Sequence, residues 1–252
     1  MARVPAHSKT GSIVSETPGY RPLYRQVYDI VVRRVAQGDW RPGEALPSEQ
    51  SLARELGVSQ GTMRKVLDAL TAEKVLDRRQ GKGTFIAQNT QERTQFRFFR
   101  LARPGGRRLT PALGTESARV RAARAIERER LELSRDARIV EILRMRLIEG
   151  TPAIREQILL PASVFPGIEK QTPLPNSLYT LYQSAFGVTI VATHEELTAA
   201  LADAEDHEQL GVAAGSPILV IDRLAVGLTN RKVEWRMTRV SSSNLVYAVT
   251  LT

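Results

Sequence analysis

The stretch that decides the fold is LPSEQSLARELGVSQGTMRKVLDALTAEKVLDRRQGKGTFI, residues 46–86. Two segments with a helical spacing of apolar residues are separated by a short break, and a basic, glycine-containing segment follows them. Ser48 is a typical N-cap for the first predicted helix, which Gly57 is expected to end. Ser59 is the expected N-cap of the second, over about residues 60–74. This order predicts a helix-turn-helix.

A further helix and a hairpin flank this unit. Upstream, apolar residues recur at three- and four-residue steps and predict one buried helix face: Leu23, Val27, Ile30, Val31 and Val35. Gly38 and Pro42 are expected to end that helix. Downstream, VLDRRQGKGTFIA alternates apolar and polar residues around Gly81 and Gly83, which predicts a β-hairpin. The whole unit is therefore predicted to be a winged helix-turn-helix.

Such a unit is suited to binding a DNA duplex. The N-terminal turn of its third helix is expected to enter the major groove. That turn contains Gln60, Gly61, Thr62 and Arg64. Glutamine pairs bidentately with adenine and arginine with guanine, and either side chain also contacts phosphate. The ordinary alternative is that Arg64 and Lys65 are solvated residues of a surface helix.

Two more segments are predicted to contact the duplex backbone. Ser48 to Gln50 offer backbone N–H groups and polar side chains to a phosphate. Lys82, next to glycine, is suited to the minor groove or its flanking phosphates. Taken alone, QGKG at residues 80–83 is also compatible with a plain hairpin turn. The combination of these features in one short unit favours DNA binding.

Length and charge agree with this interpretation. A chain of 252 residues with 42% hydrophobic content is long enough for two domains. Lys and Arg number 36 against 27 acidic residues, and the formal charge of +9 favours a polyanionic partner. Residues 1–90 carry 14 basic and 9 acidic side chains, residues 91–130 carry 11 and 4, and residues 131–252 carry 11 and 14. This division predicts two domains with different partners.

Several classes of protein are excluded by what the sequence lacks. It has no cysteine, which rules out disulfides, thiolate metal sites and cysteine nucleophiles. Residues 1–19 have no apolar signal-peptide segment and are interpreted as a flexible tail. No run approaches the roughly 18 apolar residues of a membrane-spanning helix. We therefore predict a soluble, cytoplasmic protein without membrane association.

The C-terminal part has the pattern of a second domain. The polar residues 88–95 predict a linker. Phe96, Phe98 and Leu101 then alternate with other residues and are expected to form a first strand, although this basic and aromatic segment also suits DNA contact. The remaining elements follow in order: residues 118–133 extended or helical, two strands within 137–161, a helix in 176–187, a mixed stretch at 191–203, a short helix at 204–210, a hairpin within 216–240 and a closing strand at 245–252. This order predicts an antiparallel α+β domain.

Residues 21–87 resemble the winged helix-turn-helix of the GntR superfamily of bacterial transcriptional regulators. The resemblance lies in PLYRQV, GDWRPGEALPSEQSLARELGVS and TMRKVLDALTAEKVLDRRQGKGTFIA. It implies a set of DNA contacts at Gln50, Ser59, Gln60, Gly61, Arg64, Gln80 and Gly81. Gln50 and Gln60 stand where arginine is usual in the family, so the operator is expected to differ from the family's commonest half-site.

Residues 96–252 resemble the UTRA effector-binding domain, the chorismate-lyase-like module of the HutC-type branch of these regulators. The motifs are ILRMRLIEGTPAIREQILLPASVFPGI, NSLYTLYQSAFGVTI, HEELTAALAD, LGVAAGSPILVIDRLAV and KVEW. TRVSSSNL, residues 238–245, departs from the branch pattern, which has an acidic residue near that point. The resemblance implies effector contacts at Arg144, Arg146, Glu156, Ser177, Tyr179 and Glu234.

The chemistry of these residues fits a small anion. Arg144 and Arg146 lie two apart in a predicted strand, so they project from one face and are suited to clamp a single anionic group. Ser177 begins a predicted helix, where backbone N–H groups favour an anion. Glu156 and Glu234 are acceptors for hydroxyl or amino groups. The alternative is that the arginines form ion pairs with these glutamates and that Ser177 is a plain N-cap.

The combined prediction is a ligand-responsive transcriptional regulator, a repressor that binds a palindromic operator as a homodimer and responds to a small effector, with an anion as the favoured class. It has a tail at 1–19, a DNA-binding domain at 20–87, a linker at 88–95 and an effector-binding and dimerisation domain at 96–252. The alternatives are an enzyme built on the lyase-like domain and an effector-independent DNA binder. His7, His194 and His207 are scattered and match no catalytic motif, so we predict no catalytic residue, metal or cofactor.

Overall fold

A computed structural model describes residues 21–106, 109–241 and 243–250; the predicted tail at 1–19 lies outside the described residues. The head domain has the predicted order. It consists of α1 (Leu23–Gln37), α2 (Glu49–Glu55), α3 (Gln60–Ala72), β1 (Leu76–Arg79) and β2 (Gly83–Ile86). Strands β1 and β2 pair in antiparallel fashion, and Gly81 adopts a φ of +70° in the turn between them. The predicted winged helix-turn-helix is confirmed.

Local capping starts the two helices of the helix-turn-helix where the sequence predicts. The Ser48 hydroxyl accepts the backbone N–H of Ser51 at 3.1 Å, and the Ser59 hydroxyl accepts that of Thr62 at 3.1 Å. These bonds satisfy N–H groups that have no partner within the helix. A buried apolar cluster then holds the three helices and the hairpin together, and its central members are Val31, Leu52, Met63, Val66, Leu67 and Leu70.

Of the predicted α1 face, Val27, Val31 and Val35 are buried, Ile30 is half-buried and Leu23 is exposed. Leu23 is 50% exposed, whereas Val27 is 2% exposed. Leu23 is the first residue of α1, and in that first turn only Tyr24, partly buried, packs against the head core. The fully buried face of α1 therefore begins at Val27.

The expected strand at Phe96 to Leu101 is wrong. The structure has a helix, α4 (Gln91–Phe98), which begins inside the predicted linker, and then a two-residue strand, β3 (Leu101–Ala102). Thr94 and Phe98 are both buried and lie four residues apart, which places them on one face of this helix. The alternating aromatic residues hid this helical spacing, because the polar Thr94 did not count as an interior position.

A six-stranded antiparallel sheet forms the second domain, with the strand order β4-β5-β6-β9-β8-β7. Its strands are β4 (Ala112–Ala122), β5 (Arg138–Ile148), β6 (Thr151–Pro161), β7 (Ile190–Leu201), β8 (Pro217–Gly227) and β9 (Lys232–Ser241). The predicted mixed stretch is thus the edge strand β7. Of the predicted closing strand, the described residues 245–250 contain only the short β10 (Val246–Tyr247), which pairs with β3, and residues 251–252 lie outside the described part.

Helices cover both faces of the sheet. Helix α6 (Leu178–Phe186) and the short 3-10 helix Ile168–Lys170 pack on the face that contains Val140 and Ile142. Helix α5 (Ala125–Leu131) and helix α7 (Ala204–Leu210) pack on the opposite face, against Ile139 and Ile218 respectively. The predicted antiparallel α+β domain is confirmed. Within the described residues, no helix has the length and apolar character needed to cross a membrane.

Candidate DNA-binding surface and effector cavity

The head exposes the side chains that the sequence selects for DNA. All of the predicted residues are exposed except Thr62, which is half-buried: Ser48, Gln50, Ser59, Gln60, Gly61, Arg64, Gln80, Gly81 and Lys82. Ser59 and Thr62 also hydrogen bond to each other through their hydroxyls at 2.9 Å. The first turn of α3 is therefore both capped and accessible, as insertion into a groove requires.

One carboxylate joins the three segments that carry these residues. Glu49, in the first turn of α2, accepts Nε of Arg64 at 3.0 Å and Nη2 of Arg78 at 3.2 Å. Arg64 belongs to α3 and Arg78 to the hairpin strand β1. The predicted contact set omitted Glu49 and Arg78, because an ion pair between separate elements leaves no local pattern in the sequence.

A cavity of about 90 Å³ lies between the sheet, α6 and the linker helix α4. Four of the six predicted effector residues line it: Arg146, Glu156, Ser177 and Tyr179. The structure also places residues that the sequence analysis missed on its walls: Asn176, Arg223, Arg236, Thr238 and Tyr247. The alternation along β9 was the available signal, because Arg236 lies two residues from Glu234 and shares its face.

The charged groups of the cavity form a continuous network. Arg146 Nη1 lies 3.3 Å from Glu156 Oε2, and Arg236 Nη1 donates to Glu156 Oε1 at 3.0 Å. Arg236 also donates to both oxygens of Glu234, at 3.0 and 2.8 Å. Every one of these four side chains is buried. The network therefore holds the guanidinium groups in fixed positions at the cavity wall.

The protonation of Glu156 follows from this network. Burial alone would raise its pKa, but Arg236, Arg146 and Arg144 together lower the pKa to about 2. For Arg236, desolvation acts to lower the pKa, yet Glu234 and Glu156 raise it well above its usual value. Both groups therefore remain charged near neutral pH.

The predicted clamp of two arginines does not form, because only Arg146 of the pair lines the cavity. Arg144 and Arg146 do share a face, but Arg144 lies behind the cavity wall, where its Nε is 3.1 Å from Glu116. It also donates to the carbonyl oxygen of Pro175 at 3.0 Å. Burial lowers the pKa of Arg144. Arg144 thus supports the loop before α6, and Arg146 is the member of the pair that faces the cavity.

Glu234 also lies behind the wall. It is fully buried, and it accepts the hydroxyls of Tyr179 at 2.9 Å and Tyr182 at 2.8 Å. Desolvation, with Glu234 nearby, raises the pKa of Tyr179 above its usual value, so this hydroxyl keeps its proton as the donor. Glu234 therefore fixes α6 to the sheet.

The N-terminus of α6 opens into the cavity. Ser177 is its N-cap residue, but its side chain makes no capping hydrogen bond and contacts the Thr180 hydroxyl at 2.8 Å instead. The Arg146 guanidinium hydrogen bonds to the amide oxygen of Asn176 just before this turn. A helix N-terminus next to a buried guanidinium is a favourable environment for an anion.

The histidines of the described residues lie apart from the cavity and from any candidate metal site. Within the described part of the chain, no group of histidine and acidic side chains is placed to hold a metal ion. His194 is exposed on β7. His207 lies in α7, and its Nδ1 is 2.7 Å from the carbonyl oxygen of Val212 in the loop that follows. Neither histidine lines the cavity.

A winged helix-turn-helix joined to a second domain with a cavity lined by charged and aromatic side chains is the architecture expected of a transcriptional regulator that responds to a small molecule. Comparison with known proteins identifies the family. Residues 23–86 match the bacterial regulatory proteins of the gntR family, and residues 107–244 match the UTRA domain. The chain belongs to the GntR family of bacterial regulators and carries a UTRA domain, as the sequence resemblance predicted.

Similar proteins agree along most of the chain. The mannosyl-D-glycerate transport/metabolism system repressor MngR of Escherichia coli is 28% identical over 205 residues, which cover 80% of this chain and 84% of MngR. The HTH-type transcriptional regulator SmoD of Agrobacterium fabrum is 30% identical over 212 residues, covering 84% and 88%.

A solved structure matches the second domain. The ligand-binding domain of a protein from Bordetella bronchiseptica, assigned to the GntR family of transcriptional regulators, is 29% identical to this chain. It aligns with a TM-score of 0.57 over 62% of this chain and 98% of that domain.

The network around Glu156 predicts a specific acid sensitivity. Because its folded pKa is depressed from 4.5 to about 2, ionised Glu156 stabilises the fold above pH 4.5, and this contribution is lost as pH falls through the folded pKa. Glu156→Gln should therefore be less stable at pH 7 but lose less stability between pH 4.5 and 2, measured by urea unfolding. Exposed Glu196→Gln is the control. Parallel pH curves for Glu156→Gln and the parent would contradict the assignment.

Proposed function

We propose that this GntR-family chain is a repressor that binds a palindromic operator as a homodimer and is released by a small anionic effector. The observation that carries the proposal is the shared wall: the linker helix that follows the head also lines the cavity, through Thr94 and Phe98. An occupant of the cavity would therefore touch the segment that positions the head. The description of the relative MngR as a repressor supports the direction of control.

The DNA-binding half of the proposal rests on the exposed surface of the head. Gln60 and Arg64 are exposed near the start of α3 and are proposed to read bases, while Gln80 and Lys82 are exposed in the hairpin and are proposed to contact the minor groove or its phosphates. A palindromic operator needs two heads at a fixed separation, which one chain does not supply. The homodimer follows from this requirement.

Salt dependence tests the role of the hairpin. Lys82→Ala should weaken binding to specific and unrelated duplexes alike, and should reduce the slope of log affinity against log salt by about 0.9 for each phosphate that Lys82 neutralises. Lys232→Ala is the matched control, since Lys232 is paired with Glu132 at 2.9 Å in the second domain. An unchanged slope for Lys82→Ala would remove this residue from the proposed interface.

The effector half rests on the polar end of the cavity. Arg146 faces the cavity beside Asn176 and the N-terminus of α6, and its Nε is buried without a hydrogen-bond partner. Tyr179 and Phe98 pack edge to face at 4.9 Å and provide an apolar wall. A ligand with an anionic group at the N-terminus of α6 and a small apolar part against the aromatic rings would fit both parts of the cavity.

A thermal-shift panel of phosphorylated sugars and small carboxylates tests this chemistry. A ligand that binds the folded state raises the melting temperature by mass action. We expect at least one anion to raise it, and Arg146→Ala to abolish the shift. Arg119→Ala is the control, because Arg119 is 67% exposed on the opposite face of the sheet. A hit that Arg146→Ala binds equally well would place the anion elsewhere.

Coupling between the two halves is proposed to run through the ends of α6 and through α4. The N-terminal residues of α6 line the cavity, and Gln183 near its C-terminal end is buried against the linker. Gln183 donates to the carbonyl oxygen of Ala87 at 3.0 Å and accepts the N–H of Asn89 at 2.7 Å. A ligand that shifts α6 would therefore shift the segment that leaves the head.

Gln183→Ala tests the coupling. The variant should retain operator binding and the thermal shift with the anion found in the panel, but lose most of the ligand-induced change in operator affinity. Hydrogen exchange at residues 87–90 should also become faster, because two backbone groups lose their partner. The neighbouring Ser184→Ala, on an exposed position of α6, should behave as the parent does. Full ligand response in Gln183→Ala would overturn this route.

A further inference from the structure

The ion pair between Glu49 and Arg64 has a geometry that matters for base reading. The contact uses Nε of Arg64, at 3.0 Å from Glu49 Oε2, and so does not occupy the two terminal nitrogens of the guanidinium. Those terminal nitrogens are the pair that meets O6 and N7 of guanine in an end-on bidentate contact. Glu49 therefore restrains the side chain while leaving its reading end available.

Glu49 is itself held in place. Its second oxygen accepts Nη2 of Arg78 at 3.2 Å, and Arg78 also lies 2.6 Å from Asp68. The side chain of Glu49 is 24% exposed, whereas that of Arg64 is 59% exposed. The carboxylate is thus the less mobile partner, fixed between α2 and the hairpin, and Arg64 is the partner that extends to solvent.

With α3 in the major groove as proposed, Glu49 would lie beside the duplex and lower the affinity for DNA. A carboxylate next to the duplex repels phosphates, and an ion pair as exposed as this one stabilises a fold only slightly. A gain in discrimination would offset that cost, because a long, flexible side chain that is already oriented loses less conformational entropy when it meets a base.

We propose that Glu49 is a positioning residue for sequence reading: it orients Arg64 so that the terminal nitrogens of its guanidinium contact one guanine of the operator. The inference rests on the proposed function, in which α3 enters the major groove. Glu49 would then determine specificity at one base pair and have little effect on the general affinity for DNA.

The experiment uses the full-length protein and a duplex selected by the parent from a random library. Arg64→Lys first identifies the base pair that depends on Arg64, since lysine does not reproduce the bidentate contact. Binding of Glu49→Gln is then measured to duplexes carrying each of the four bases at that position. We expect the preference for guanine there to fall about tenfold, within the range that a bidentate pair contributes to discrimination.

The affinity of Glu49→Gln for an unrelated duplex should not fall. Removing the negative charge of Glu49 should raise it or leave it unchanged, since one source of repulsion is gone. Asp68→Asn is the matched control: it removes the other carboxylate next to Arg78, and should leave the guanine preference intact. Glu49→Asp keeps the charge but withdraws it from Arg64, and should also lose discrimination.

The outcomes are separable. If the parent selects no duplex, the proposed function fails. If the parent selects an operator but Glu49→Gln and Glu49→Asp keep the parent's preference at the position read by Arg64, the inference is wrong. It is equally wrong if Asp68→Asn reduces the guanine preference as much as Glu49→Gln does, or if Arg64→Lys changes no base preference. Circular dichroism confirms that each variant is folded before binding is compared.

Discussion

A single buried carboxylate fixes the element on which both halves of the molecule depend. Glu234 is fully buried and accepts hydrogen bonds from Tyr179, Tyr182 and the two ends of the Arg236 guanidinium. Burying a charge costs several kcal/mol unless it is paired and hydrogen bonded, and here each oxygen has two donors. These bonds attach α6 to the centre of the sheet. Because the N-terminus of α6 lines the cavity and its C-terminal part holds the linker, the arrangement of cavity and head depends on this attachment.

The head is joined to the second domain by polar groups as well as by packing. Val191 and Leu228 pack against the apolar cluster of the head. Arg97 of α4 donates to the carbonyl oxygen of Val191 at 2.6 Å and lies 3.5 Å from that of Glu73, the C-cap residue of α3. Burial lowers the pKa of Arg97, and a cation at a helix C-terminus is favourable. The guanidinium thus connects the end of the proposed recognition helix to an edge strand of the sheet.

Local signals made the head predictable from sequence, whereas the cavity depends on contacts between distant strands. The N-caps Ser48 and Ser59 and the hairpin glycines act over a few residues, so their effect can be read directly. Strand alternation correctly placed Arg144 and Arg146 on one face. Only Arg146 reaches the cavity, because Arg144 forms an ion pair with Glu116 on the neighbouring strand β4. Similarly, the facing positions of Arg223 and Arg236 follow from the register of β8 and β9. Helix α4 was missed because its buried face combines the polar Thr94 with Phe98, and only apolar residues were counted as interior positions.

The arginines of the cavity wall are already paired with carboxylates, and this pairing determines how they would respond to a bound anion. Arg146 is bound to Glu156, which also binds Arg236, and Arg236 in turn binds Glu234. An anion that takes Nη1 of Arg146 as its partner would compete with Glu156 for that nitrogen, so part of its binding energy would be used to rearrange the network. Because buried carboxylates remain paired, Glu156 would then rely more on Arg236, and the balance of bonds at Glu234 and the tyrosines of α6 would change. The shared carboxylates thus link the charged groups of the cavity wall to the tyrosines that hold α6.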